Sequence, residues 1–160
     1  MNVTRAGLAA LLALAAPLWA HEAVPGAGKG VALSASARGA AATVDAFHAA
    51  LHRGDTRAAA ALLADDALIF EAGGAERSKA EYAAHHLPAD AEFTRSVSSV
   101  VTRRAANSSG TLAWVASEGR TTGTYKAKAL DLLTTETMLL RRTGSGWKIV
   151  HIHWSSAAKR

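Results

Sequence analysis

Two segments near the C-terminal end constrain the fold of this chain more than any other feature. Residues 130–142 and residues 147–154 are rich in β-branched and aliphatic side chains, and the sequence Thr-Gly-Ser-Gly separates them. Glycine-containing turns between two such segments are typical of tight β-hairpins. We therefore predict an antiparallel hairpin that has residues 144–145 as its loop.

The predicted hairpin places a carboxylate opposite an imidazole. Its register pairs Glu136 with His153, and it pairs Met138 with His151. Because side chains alternate along a strand, the two histidines share one face. A histidine beside a carboxylate can act as a general acid–base pair near neutral pH. The alternative for Glu136 and His153 is a structural cross-strand pair.

Residues 1–20 have the layout of a secretory signal peptide. Arg5 precedes an apolar segment at residues 6–18, and Ala20 provides a small residue for cleavage. The apolar segment is shorter than the roughly 20 residues that a membrane span requires. We predict cleavage after Ala20 and a periplasmic or secreted protein without a membrane span. An uncleaved N-terminal anchor is the alternative.

The composition narrows the classes of function. The chain contains no cysteine, which excludes thiol catalysis and cysteine-ligated metals. Its formal net charge of +5 comes from basic residues that are scattered along the chain. Nucleic-acid-binding proteins cluster such residues and combine them with exposed aromatic side chains. The sequence therefore predicts no nucleic-acid partner.

The chain is predicted to contain a leader, one domain and a short tail. Residues 21–42 are rich in glycine, alanine and serine, which predicts a flexible leader. The domain is predicted at residues 43–156, and residues 157–160 form the tail. Helices are predicted to begin near residues 43, 56 and 79, and strands are predicted at residues 67–71, 92–104, 111–120, 130–142 and 147–154.

This order of elements predicts the fold class. Helices followed by a run of strands are typical of an α+β domain. We predict a cone-shaped, strongly bent antiparallel sheet, with about three N-terminal helices covering its concave face. A cone of this kind leaves room for a ligand between the helices and the sheet.

Six local sequences resemble the superfamily of nuclear transport factor 2, SnoaL-like polyketide cyclases and ketosteroid isomerase. They lie at residues 45–51, 62–67, 71–74, 81–87, 135–137 and 147–155. The resemblance extends over residues 43–156 and is strongest to small exported SnoaL-like domains. It implies a cystatin-like α+β fold, a small-molecule ligand in the cone and a homodimer that forms through the sheet. The last of the six also resembles the association domain of calmodulin-dependent kinases, which implies an oligomerisation module.

Several side chains are candidates for the lining of the cone. Glu71 ends a strand beside two glycines, and Tyr82 and His85 share one side of the third helix. Glu118 has the same parity as Trp114 on its strand, which favours an inward carboxylate. The predicted lining is Glu71, Tyr82, His85, Glu118, Met138 and His151. The alternative for the polar members is a position at the rim or on the surface.

His151 and His153 also have the spacing of metal ligands on one strand. Two such imidazoles suit zinc or copper, and Glu136, His85 or His86 could complete the site. The alternative is a pair of hydrogen-bonded pocket histidines. The sequence requires no cofactor, and zinc or copper is the metal chemistry that it suggests.

We predict that the chain is an exported domain that binds a small molecule. The first alternative is an enzyme of isomerase, cyclase or dehydratase type, with His153 as the base and Glu136 orienting it. Tyr82 or His85 would then donate a hydrogen bond to the developing enolate. The second alternative is a periplasmic metal-binding protein, and the third is an oligomerisation module.

Overall fold

The computed structural model describes residue 33 and residues 35–159. The signal peptide predicted at residues 1–20 lies outside the described residues, as does most of the predicted leader. Helix α1 spans Ala35–Arg53, so the leader prediction is wrong for the residues from Ala35 onward. Ala37, Ala40 and Ala41 are buried in the core. Their helical spacing lets this alanine-rich segment pack closely, which is why it is structured.

Three shorter helices follow α1. Helix α2 spans Thr56–Leu62, α3 spans Lys79–His85 and α4 spans Leu87–Ser96. Among the described helices, none is long and apolar enough to cross a membrane.

Local capping signals set the ends of the first three helices. Gly54 has φ +73° and ends α1, as the sequence predicts. Asp55 Oδ1 accepts a hydrogen bond from the Ala58 N–H at 2.9 Å and caps α2. Ser78 Oγ accepts one from the Glu81 N–H at 3.0 Å and caps α3. These caps satisfy amide groups that have no partner within the helix.

Helix α4 replaces the first part of a predicted strand. The strand predicted from residue 92 begins at Val97 instead, because the residues before it are helical. Pro88 lies in the first turn of α4, where its missing N–H removes no helical hydrogen bond. Leu87 and Ala91 lie four residues apart and are both buried. Burial of these two apolar side chains against the rest of the domain stabilises α4, although the sequence pattern does not predict a helix there.

Six strands form one curled sheet behind the helices. They are β1 (Leu63–Glu71), β2 (Gly74–Glu76), β3 (Val97–Ser109), β4 (Leu112–Tyr125), β5 (Lys128–Thr143) and β6 (Gly146–Ala158). Their order is β2-β1-β6-β5-β4-β3. Strands β1 and β6 are parallel, and the other neighbouring pairs are antiparallel. The α+β prediction is confirmed, with a mixed sheet in place of a wholly antiparallel one.

Two apolar rows run across the inner face of the sheet, which is the face that α1 covers. The first row is Ala113, Leu140, Ile149 and Leu63, and the second is Val115, Met138, Ile152 and Ile69. All of these side chains are buried, together with Val44, Phe47 and Leu51 of α1. Met138 is fully buried in this core, so the prediction that it lines the ligand pocket is wrong.

The terminal hairpin forms as predicted near its loop but not beyond it. Leu140 pairs with Ile149, as the sequence predicts, and the register then shifts between Leu139 and Leu140. Val150 is the extra residue, because Leu139 pairs with His151. A β-bulge of one residue reverses which side chains of the following segment face the core.

This bulge overturns the pairing on which the predicted acid–base site depends. Glu136 pairs with Trp154, and His153 pairs with Thr137. Glu136 therefore stays on the inner face, while His151 and His153 lie on the outer face. The bulge allows both Ile149 and Ile152 to be buried, which a regular strand cannot do because their spacing is odd.

Candidate functional site

A polar row crosses the inner face next to the two apolar rows. Each of five neighbouring strands contributes one residue, and each residue is paired with the next. The row consists of Arg104 (β3), Ser117 (β4), Glu136 (β5), Trp154 (β6) and Glu71 (β1). Residues that are directly paired in a sheet project from the same face. The row therefore brings a guanidinium, a hydroxyl, two carboxylates and an indole to the space beneath the helices.

Glu136 is at the centre of this row. Its Oε2 accepts a hydrogen bond from His48 Nε2 at 2.6 Å and another from Trp154 Nε1 at 2.8 Å. The Glu136 side chain is only 10% exposed. Its Oε1 accepts no hydrogen bond from any residue that the structure describes. One carboxylate oxygen is thus fixed by the protein, and the other is left for a ligand or water.

The surroundings of Glu136 favour its charged form. Burial by itself raises the pKa of a carboxyl group. For Glu136 the hydrogen bond and the charge of His48 oppose that effect, as does the Trp154 N–H. The charge of Arg104 adds to them, so the pKa of Glu136 lies below its ordinary value of 4.5. The carboxylate is therefore ionised at neutral pH.

Arg104 connects the row to helix α1. Its Nε donates to Ser117 Oγ at 3.0 Å, and its guanidinium forms an ion pair with Asp45. The Arg104 side chain is 19% exposed, whereas Asp45 is largely exposed. This arrangement holds the guanidinium beside the cavity and neutralises it with a carboxylate from the opposite wall.

Trp154 contacts two aromatic rings as well as Glu136. It stacks with Phe47 at a centroid distance of 6.4 Å and an interplanar angle of 22°. Its ring also lies 6.4 Å from that of Tyr82, at an angle of 46°. These contacts fix the orientation of the indole and of the N–H that it donates to Glu136.

A second group of polar side chains lies beyond Trp154. Tyr82 is fully buried, and its hydroxyl donates to Asp90 Oδ2 at 2.6 Å. Burial raises the pKa of Asp90, although the hydrogen bond from Tyr82 opposes the shift. Burial and the nearby charge of Asp90 raise the pKa of Glu71. The charge of Asp90 therefore disfavours the ionisation of Glu71.

These side chains surround a cavity of about 520 Å³ between the helices and the sheet. Its polar lining includes Asp45, His48, Glu71, Asp90, Arg104 and Glu136. Its apolar lining includes Phe93, Val97, Val101, Leu132 and Trp154. A smaller cavity of about 130 Å³ lies next to it. Trp154 and Glu71 line both cavities.

Comparison with known proteins places this fold and cavity in a family. The sequence profile of the SnoaL-like domain matches residues 40–159. The chain belongs to the SnoaL-like family. No curated protein matches this SnoaL-like domain significantly.

Solved structures agree with this family assignment. A candidate ketosteroid isomerase from Shewanella frigidimarina NCIMB 400 is 35% identical, with a TM-score of 0.72 over 78% of this chain and 100% of that one. A candidate calcium/calmodulin-dependent protein kinase II association domain from Xanthomonas campestris is 22% identical, with a TM-score of 0.66 over 86% of this chain and 100% of that one. A nuclear transport factor 2-like protein with a cystatin-like fold from Novosphingobium aromaticivorans is 14% identical, with a TM-score of 0.63 over 74% and 80% of the two chains.

The SnoaL-like domain does not form the predicted pair of Glu136 and His153. His153 is exposed on the outer face, with its ring centroid 6.2 Å from that of Phe70. His151 lies on the same face, and its Nδ1 is 2.8 Å from the carbonyl oxygen of Leu68. The predicted catalytic role of His153 and the predicted pocket position of His151 are therefore wrong.

The predicted metal site also loses Glu136, one of the three residues predicted to complete it. Glu136 lies on the opposite face of the sheet from His151 and His153. The ring centroids of the two histidines are 6.4 Å apart. Within residues 35–159, no group of three or more histidine, aspartate or glutamate side chains is arranged to hold a metal ion.

The structure places the remaining candidates in three different environments. Glu71 lines both cavities, and Tyr82 lines the smaller one. Glu118 lies at the rim of the larger cavity, with its carboxylate 3.7 Å from Arg103. His85 is exposed at the end of α3, so the prediction that it faces the cavity is wrong.

The next residue, His86, is also exposed, but its side chain reaches the smaller cavity. His86 pairs with Glu76, which is 6% exposed, and His86 lines the smaller cavity. The helix ends at His85, so helical spacing no longer decides which way the His86 ring projects.

Sequence reasoning missed the residue that completes the Glu136 site. His48 lies among Val44, Phe47 and Leu51, which recur at helical spacing and are buried. A histidine within such an apolar stripe is a signal for an inward polar group. Its partner, Glu136, lies 88 residues further along the chain and cannot be found from local spacing.

Proposed function

We propose that this SnoaL-like domain binds a small organic molecule in the cavity of about 520 Å³. The observation that carries the proposal is the ionised carboxylate of Glu136 in the cavity wall, with Oε1 open to a ligand. Small-molecule sites commonly have volumes of roughly 300–1,000 Å³, apolar walls and a few fixed polar groups. The cavity between the helices and the sheet has each of these properties.

The hydrogen bonds to Oε2 support a binding role for Glu136. They fix the carboxylate in one orientation before a ligand arrives, so little conformational entropy is lost on binding. Phe93, Val97 and Leu132 supply apolar surface in the same cavity. A ligand with an apolar body and a hydrogen-bond donor would match both features.

The test uses Nile red, an uncharged fluorescent dye, as the probe. Leu132→Trp should fill part of the cavity and weaken dye binding at least about five-fold, because it removes volume that the ligand needs. Leu133→Trp is the matched control, since the neighbouring side chain lies on the outer face and is 51% exposed. Equal dye affinity in the wild type and Leu132→Trp would contradict binding in this cavity.

Proton transfer at a carbon next to a carbonyl group is the second candidate function. It is supported by the ionised Glu136 and by 35% identity to the candidate ketosteroid isomerase of Shewanella frigidimarina. Glu136 would remove a proton from the carbon between the carbonyl group and a double bond. The resulting dienolate would take the proton back at the far end of that double bond. His48 would position Glu136 through its hydrogen bond.

This second function is tested with 3-cyclohexen-1-one, whose isomerisation to the conjugated ketone is followed by ultraviolet absorbance. Glu136→Gln should lower the rate by about 100-fold or more, because the amide cannot accept the proton. Glu92→Gln, an exposed glutamate outside the cavity lining, is the control. A rate no higher than that of buffer, or unchanged in Glu136→Gln, would rule the reaction out for this ketone.

We also propose that the chain is exported and forms a homodimer through the outer face. Trp114, Leu139 and His151 are paired across this face, and Phe70 lies beside the histidines. Exposed apolar side chains of this kind are typical of an interaction surface. Leu139→Glu should shift the sedimentation coefficient to that of a monomer. A monomeric wild type would contradict the dimer.

Export is tested separately. Mass spectrometry of the exported protein should find His21 as its first residue.

A further inference from the structure

The cavity carries an excess of negative charge, although the chain as a whole has a formal charge of +5. Its charged lining consists of five carboxylates and one guanidinium, from Asp45, Glu71, Asp90, Glu118, Glu136 and Arg104. Asp45 forms an ion pair with Arg104, and Glu118 lies beside Arg103. The carboxylates of the lining that no lysine or arginine pairs with are therefore Glu71, Asp90 and Glu136, of which Glu136 has His48 as a partner through Oε2.

Two of these carboxylates flank an aromatic ring. Trp154 of β6 pairs with Glu136 of β5 on one side and with Glu71 of β1 on the other. Neighbouring strands lie about 4.8 Å apart, so the two glutamates emerge about 10 Å from each other with the indole between them. Ammonium groups are attracted to the faces of aromatic rings as well as to carboxylates.

We propose that the cavity selects a molecule with an ammonium group and an apolar body, and that the ammonium lies against Trp154 between Glu136 and Glu71. This inference rests on the proposed binding function and adds the class of ligand. The apolar body would contact Phe93, Val97 and Leu132, which line the same cavity.

The hydrogen-bonding state of the two glutamates supports this choice. The Glu71 side chain forms no hydrogen bond or ion pair with any residue that the structure describes, and Oε1 of Glu136 accepts none. Burial, and after it repulsion by the charge of Asp90, raise the pKa of Glu71. His86 is the nearby basic group, and it is paired with Glu76. A bound ammonium would relieve this repulsion, whereas a bound carboxylate would increase it.

Three probes of similar size separate charge from shape: 4-phenylbutylamine, 4-phenylbutan-1-ol and 4-phenylbutyrate. Their dissociation constants are measured by calorimetry at pH 7 and about 0.1 M salt, where long-range surface charge is largely screened. We expect the amine to bind about ten-fold more tightly than the alcohol, and the carboxylate to bind most weakly. Leu132→Trp should weaken all three.

Charge-removing variants locate the ammonium. Glu71→Gln and Glu136→Gln should each reduce the ratio of amine to alcohol affinity by about three-fold or more, with little effect on the alcohol. Glu92→Gln should leave the ratio unchanged. Glu71 is exposed enough to be replaced without loss of folding, so it carries the test by itself if Glu136→Gln lowers the Tm.

The outcomes separate this inference from the proposed function. If the alcohol binds as tightly as the amine and Leu132→Trp weakens its binding, that result would overturn the ammonium inference and support a neutral ligand in this cavity. The tightest binding by the carboxylate would also overturn it. Failure of all three probes to bind would contradict both the inference and the binding function for molecules of this size.

Discussion

The imidazole of His48 lies 2.6 Å from the carboxylate of Glu136, and this contact joins helix α1 to strand β5 across the cavity. Glu136 is buried, whereas the His48 side chain is 38% exposed. The contact therefore stabilises a charge that burial alone would disfavour, and it does so from a position that a ligand can approach. The His48–Glu136 contact therefore contributes both to the stability of the domain and to the charge of the cavity wall.

Replacing His48 should destabilise the domain, because Glu136 would lose one of its two hydrogen-bond donors. We expect His48→Ala to lower the free energy of unfolding by about 1–2 kcal/mol, measured by urea denaturation at pH 7. His52→Ala is the control, since His52 is exposed on the same helix and its side chain forms no hydrogen bond with any described residue. Equal destabilisation by the two variants would show that the His48–Glu136 contact contributes nothing specific.

The stability of the domain should depend on the ionisation of Glu136. Its pKa is lowered in the folded protein, so the stability that it contributes is fully present above the ordinary value of 4.5. This contribution is lost as the pH falls through the folded pKa. Between about pH 5 and about pH 3, the urea midpoint should fall more for the wild type than for Glu136→Gln. Parallel pH profiles for the two proteins would contradict this assignment.

Glu71 should have the opposite effect on stability. Burial and the charge of Asp90 raise its pKa in the folded protein. Stability is therefore lost as the pH rises from the ordinary value of 4.5 through the folded pKa. Glu71→Gln should stabilise the domain at pH 7 by up to about 0.5 kcal/mol, a small effect because solvent screens this side chain. The gain should vanish near pH 3, and destabilisation at pH 7 would refute the prediction.

Deleting Val150 should remove the bulge without changing which residues pair. His151 would then follow Ile149 directly, so Leu140 would still pair with Ile149 and Leu139 with His151 in an unbroken ladder. Ile149 and Ile152 would lie two positions apart and both stay on the inner face, and Glu136 would keep Trp154 as its partner. We expect the variant to retain a cooperative thermal transition by near-ultraviolet circular dichroism and to lose less than about 3 kcal/mol, and loss of that transition would contradict this register. Val150→Ala, which keeps the bulge, should lose less than about 1.5 kcal/mol.

Much of the fold could be predicted because its signals are local. Gly54, Asp55 and Ser78 each act within one helical turn, and the structure confirms all three. The hairpin between β5 and β6 and the α+β class are confirmed for the same reason, since a turn and an order of elements are properties of neighbouring residues. The site was predicted only in part: Glu136 and Glu71 belong to it, but the partner chosen for Glu136 was wrong.

The sequence by itself determined the helix caps, the hairpin turn and the residue types that a SnoaL-like cone needs. The tertiary structure decided which of those residues meet. The single extra residue Val150 reverses the parity of His151 and His153, because burying both Ile149 and Ile152 stabilises the sheet more than an unbroken ladder does. Only the packing of α1 on this sheet brings a histidine to Glu136, and no pattern within one strand encodes that contact.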